Sequence, residues 1–176
     1  VKAGVFLLAR LWPVLAGTDL WFALVCGAGL GSLLLGAAAA LFQRDMKGVL
    51  AYSTVSQLSY VILAAALLTP LSVMGAAMHI AAHAFGKITL FFAAGAIYTA
   101  AHKTEVSQLD GIGRRMPWTM GAFTVGAVSM IGLPPTAGFA SKWFILSGAY
   151  EAGHWVAIAT IAASSTSLRP SPNNSL

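Results

Sequence analysis

Apolar runs of about twenty residues recur along this chain, the length a helix needs to cross the hydrocarbon of a bilayer. The clearest cover residues 20–42, 47–68 and 72–101. Lipid offers no partner to an unpaired backbone group, so segments of this kind become helices. Hydrophobic residues make up 58% of the chain and charged residues only 9%. That charge is too little to coat a soluble helical bundle. The chain of 176 residues has room for about six spans with short connections. The fold class expected is therefore all-α: a polytopic transmembrane helix bundle.

The net charge is +5, and the basic residues lie in connections rather than in a patch interleaved with aromatics. Nucleic acid is thereby excluded as a partner. Two crossings separate the basic junction at 43–48 (Arg44, Lys47) from the longest polar stretch, 102–118 (Lys103, Arg114, Arg115). Both loops thus face one compartment, and the positive-inside rule makes it the cytoplasm of a bacterial inner membrane. Cys26 is the single cysteine, which precludes an internal disulfide.

A first span covers about 1–16, with Lys2 and Arg10 stacked at i, i+8 and Trp12-Pro13 at its exit; Asp19 then caps the second span. That second span is rich in Gly and Ala, which lets neighbouring backbones approach. Val1 already lies within an apolar helical pattern and no signal peptide precedes it, so the chain reads as the middle of a longer protein. After Ser164 the composition shifts to Ser, Pro and Asn, with Pro170 and Pro172 breaking a sixth span. The expected organisation is a partial membrane domain at 1–163 and a tail at 164–176, either native or the product of a reading-frame error.

Lys87 and Lys142 sit deep in apolar segments, where an ammonium costs about 3 kcal/mol even on lenient scales. His79, His83 and Lys87 follow i, i+4, i+8, which stacks them on one helix face over about 12 Å. Imidazole both accepts and donates, so such a column could pass protons along bridging waters. Zinc is a weaker reading, because no third ligand is evident. Bis-histidine haem lacks a partner histidine on a facing helix. A purely structural role is disfavoured by the lysine, since Ser, Thr or Asn would serve at lower desolvation cost. No metal and no cofactor is expected.

The span at 119–149 is interrupted by Gly132-Leu133-Pro134-Pro135. Two prolines remove backbone donors and force a break near mid-membrane, tolerated only against protein or water. Lys142 lies about 10 Å beyond it, and a broken helix beside an ionisable residue is a recurrent transporter device. In the third span Ser53, Gln57 and Tyr60 share a face too polar for lipid and could hold water against the histidine helix. Lys47 opens that span and would by itself be read as snorkelling to the interface.

These segments carry a resemblance. Asp45-Met46-Lys47-Gly48-Val49-Leu50-Ala51-Tyr52-Ser53-Thr54-Val55-Ser56-Gln57 resembles a signature of the antiporter-like family, which unites the proton-pumping membrane subunits of complex I with the large subunits of Mrp-type sodium/proton antiporters. His79-x-x-x-His83-x-x-x-Lys87, Gly132-Leu133-Pro134-Pro135-x-x-Gly138-Phe139-x-Ser141-Lys142 and Lys2-Ala3-Gly4-Val5-Phe6-Leu7-Leu8-Ala9-Arg10 are similar to three further family segments, in the family's order.

The resemblance implies a share of an inverted-repeat transporter fold: most of the second five-helix repeat, with its broken helix. It implies a proton relay in which Lys2 and Lys47 are intermediate lysines, His79, His83 and Lys87 the centre, and Lys142 the exit. Partners would be other membrane subunits, protons, monovalent cations (sodium) and the lipid itself. Gly138-Phe139 followed by Ser141-Lys142-Trp143 looks more like the D-type antiporter subunit, whereas the separated histidines are less typical of it. The leading expectation is a subunit of a multisubunit sodium/proton antiporter. The alternative is a pumping subunit of NADH:quinone oxidoreductase or a related membrane hydrogenase, itself without redox sites. In either case the chain would be a transporter subunit, not a stand-alone enzyme.

Overall fold

The computed structural model describes residues 3, 4, 7, 10, 11, 18–67, 69–153 and 155. The expectations for Lys2, for the Trp12-Pro13 exit, for the sixth span and for the 164–176 tail lie outside the described residues.

Helix α1 spans Asp19–Phe42, α2 Met46–Leu67 and α3 Pro70–Ala101. All three are long and apolar enough to cross a membrane. A single 3-10 turn at Val106–Leu109 and a one-turn helix α4 at Ile112–Arg115 lead into α5, Pro117–Ile131, and α6, Ala137–Glu151. The spans expected between 20 and 149 are present, and so is the expected break.

Local chemistry sets each boundary. Asp45 begins α2 by accepting the Gly48 N–H at 2.9 Å on its carboxylate, a capping contact. Thr69 accepts the Ser72 N–H at 3.2 Å, and Pro70 occupies the first turn of α3, where a missing N–H costs nothing. Helix α3 ends at His102, which adopts φ 52° and donates its N–H to Tyr98 O at 2.8 Å. Helix α5 ends at Gly132 with φ 88°, a left-handed closure that glycine takes without strain.

Helix α3 is the spine, with α2, α5 and α6 packed on it and α1 on α2. The two halves of the broken helix run along α3 in sequence. Met130 and Gly126 lie beside Gly86 and Leu90, and Gly148 meets Thr69 and Ser72. The break therefore falls beside the middle of α3.

The interior is layered. One apolar cluster includes Leu58, Val61, Leu63, Leu67, Ala76, Ile145 and Ala149. The other includes Met46, Leu50, Leu90, Ala94, Ile97, Ile112 and Met130. Between them, along both α2 and α3, lie the buried polar residues Ser53, Ser56, Gln57, Ser59, His79, His83 and Lys87. The outward faces carry Leu35, Phe85, Ile88 and Phe92, side chains suited to lipid or to neighbouring spans.

At one end of the bundle the two basic loops are tied together. Met46 N–H donates to Thr104 O at 2.9 Å and Val106 N–H to Arg44 O at 3.0 Å, around an antiparallel bridge between Asp45 and Glu105. The shared face counted from crossings in the sequence is thus an observed contact.

Candidate functional site

The three-residue column on α3 is buried throughout, with His79 2%, His83 1% and Lys87 6% exposed. The i, i+4, i+8 spacing places them inward, and the small residues around them, Gly75, Ala76 and Gly86, let α6 and α5 close over that face.

Lys87 reaches across to α2. Its Nζ donates to Leu50 O at 2.7 Å and to the Ser53 hydroxyl. Ser53 itself donates to Leu50 O at 3.1 Å. An ammonium shielded from bulk water is tolerated when its protons meet carbonyl and hydroxyl oxygens in this way. A cleft of about 240 Å³ lined by Thr54, His83, Ala84, Lys87, Ile88, Phe91 and Phe92 opens beside it.

One turn above, the His83 and His79 rings stack with centroids 6.1 Å apart. His79 Nδ1 lies 3.0 Å from Ser141 Oγ on α6, and its ring sits 5.5 Å from that of Tyr60 on α2. Gln57 Oε1 and His79 Nε2 are buried with no hydrogen-bond partner among the described residues. Buried polar atoms of this kind are where bridging waters are held.

Lys142 follows Ser141 and is 8% exposed. Its amine turns back across the break and donates to Met130 O at 2.9 Å and Ile131 O at 3.1 Å. It also stands 5.2 Å from the centroid of the Tyr60 ring, within cation–π range. Glycine is required at 138, because a Cβ there would collide with Ser129 O of α5.

The structure thus buries His79, His83, Lys87 and Lys142 in one region, with Ser53, Gln57 and Tyr60 of α2 buried alongside them. Lys47 stands apart: it is exposed, and its Nζ lies 4.9 Å over the Tyr98 ring. Ser141, the link between α3 and α6, carried no role in the sequence reading; its place in the broken-helix segment directly before Lys142 was the available signal. Among the described residues no group of His, Cys, Asp and Glu could hold a metal ion.

Fold and site together define a polytopic membrane bundle with a chain of basic side chains threaded through its middle layer. The chain belongs to the NADH:quinone oxidoreductase/Mrp antiporter transmembrane family, which it matches over residues 1–167. It is 46% identical over 151 residues to the A/B subunit of a probable K(+)/H(+) antiporter of Rhizobium meliloti, an alignment covering 86% of this chain and 15% of that protein. It is likewise 46% identical over 133 residues to the N subunit of the NADH-quinone oxidoreductase of Desulforudis audaxviator, covering 76% of this chain and 26% of the relative. A chain in the solved membrane-bound sulfane sulfur reductase, an archaeal respiratory membrane complex, superposes with a TM-score of 0.88 at 27% identity, covering 95% of this chain and 35% of that one. The chain therefore spans about a quarter or less of the length of these two curated relatives.

Proposed function

We propose that this chain carries a proton path in a subunit of a multisubunit monovalent cation/proton antiporter. The single observation behind it is the continuity of buried protonatable groups from α2 to the broken helix. Lys87 rests on Leu50 and Ser53, the histidines stack above it, and His79 touches the hydroxyl that precedes Lys142. Protons move from lysine to imidazole to lysine through intervening waters. Charging one lysine disfavours charging its neighbour, which links loading at one site to release at the next. Lys47, exposed at the loop end beside Tyr98, is the entry group, and Lys2 is assigned the intermediate role that the resemblance implies. The basic loops face the cytoplasm of a bacterial inner membrane, other membrane subunits complete the path, and sodium or potassium is the counter-ion.

The test is cation-dependent proton exchange by the full-length protein in its complex, in inverted vesicles. Lys87→Ala and Lys142→Ala are each expected to abolish exchange while the complex still assembles. Normal exchange in both would remove the proposal.

A second reading is favoured by the identity to the NADH-quinone oxidoreductase of Desulforudis audaxviator: the same path driven by electron transfer from NADH to quinone. It predicts proton uptake on adding NADH and quinone, with no response to an imposed sodium or potassium gradient.

A further inference from the structure

Helix α5 ends partway along α3, beside the polar layer, with Met130 buried and Leu133, Pro134 and Pro135 of the break exposed, and its last carbonyls need partners there. Val128 O receives the Gly132 N–H at 3.1 Å and the Leu133 N–H at 3.3 Å. The next free pair, Met130 O and Ile131 O, receives the Lys142 ammonium. The negative end of the helix dipole points at the same place, and the face of Tyr60 closes another side. Carbonyl oxygens, a dipole terminus and an aromatic face all attract a single positive charge. The end of a broken membrane helix is also where transporters seat monovalent cations. Lys142 is thus a tethered cation seated in a cation cradle.

We propose that the C-terminal end of α5, formed by Met130 O, Ile131 O and the Tyr60 ring, is a binding site for an alkali cation, which Lys142 occupies only while it is charged. When Lys142 Nζ gives its proton to the relay, the neutral amine no longer competes, and one alkali ion enters as one proton leaves. The charge in the cradle stays at +1 throughout, so occupancy by ammonium and by alkali ion is mutually exclusive. This deepens the antiporter reading above and rests on it, since it supplies the step at which proton and cation exchange places.

The groups able to modulate the exchange are few. On α3, His79 faces Lys142 through Ser141, with His83 one turn beyond. On α2 the facing group is Tyr60. Helix α5 has no charged or titratable side chain from Pro117 to Ile131, and on α6 Tyr150 and Glu151 are exposed near the far end.

Binding of ²²Na⁺ and ⁸⁶Rb⁺ to the purified full-length complex in detergent tests this without any transport step. For at least one ion, wild-type affinity is expected to rise about tenfold per pH unit over the range where Lys142 is charged, the slope of a one-proton exchange. Lys142→Ala should bind that ion equally at all pH values, and Lys142→Arg, always charged, should not bind it at any. Wild-type binding that ignores pH, or binding retained in Lys142→Arg, overturns the site. If Lys142→Ala fails to assemble, the wild type and Lys142→Arg decide alone. A failure here with exchange still lost in Lys87→Ala would leave the relay standing; a pH-linked site with normal exchange in Lys87→Ala would leave the cradle standing and remove the relay.

Discussion

Ser141 has one hydroxyl proton and two neighbours that want it. It donates to Gly138 O at 3.0 Å, so toward His79, also at 3.0 Å, the oxygen accepts. His79 is then the donor through Nδ1–H, and Nε2 is the nitrogen left to take a proton. We propose that the serine selects this tautomer and leaves Nε2 as the accepting nitrogen. Ser141→Ala leaves a buried N–H without a partner, at a cost of about 1–3 kcal/mol. We expect a lower unfolding temperature in detergent and slower proton exchange, with Ser141→Thr restoring both. Nitrogen NMR of labelled histidine should find the proton on Nδ1 in the wild type and on both nitrogens in Ser141→Ala. A wild-type spectrum with the proton on Nε2 would contradict the assignment. At this scale the sequence told half the story. Spacing alone put His79, His83 and Lys87 on one inward face, because helical periodicity is a local property. It could not place the Lys142 amine on carbonyls of the preceding half-helix, nor single out one serine as the bridge to α3, because both depend on how separate helices are docked.

Between elements, glycine decides how closely α6 approaches α3. A Cβ at Gly75 would lie 2.8 Å from the backbone nitrogen of Ile145, and one at Gly148 2.6 Å from that of Ser72. Both contacts are with backbone, so neither neighbour can move aside cheaply. Gly75→Val should push the helices apart and stretch the His79–Ser141 contact, costing exchange activity although position 75 handles no proton. Cysteine cross-linking between α3 and α6 would register the separation. Gly27→Ala is the control: nothing lies within 4 Å of a Cβ there, so stability should stay within about 0.5 kcal/mol. Wild-type activity in Gly75→Val would mean that the close approach is dispensable. The Gly-rich character of α1 was legible as a sign of close packing, and Gly36 does sit with its added Cβ only 2.9 Å from the backbone nitrogen of Ser56 on α2. Composition could not rank the glycines, however. Gly27 and Gly31 of the same helix meet nothing, while the isolated Gly75 and Gly148 hold the site together.

Across the whole bundle, the broken helix behaves as one crossing with a polar interruption. Helix α5 starts from the loop end and stops at the middle layer, and α6 continues to the end where Gly148 meets Thr69. Ser107 and Glu151, both exposed, must then lie on opposite sides of the bilayer. Helices α2 and α3 cross twice, returning the chain to the side it left, which is why Arg44 O can accept from Val106 N–H. The sequence reached this topology by counting spans and basic residues, and the observed contact between the loops agrees with the count. Which side is the cytoplasm follows from the positive-inside rule alone, and labelling decides it. With the buried Cys26 replaced by serine, Ser107→Cys should react with a membrane-impermeant maleimide in inverted vesicles and resist it in right-side-out ones. Glu151→Cys should do the reverse. Reaction of both from the same side would break the single-crossing account of α5 and α6, and with it the placement of Lys142 at mid-membrane. Swapped reactivity would keep that placement and turn the path around, making the Lys47 end the exit rather than the entry.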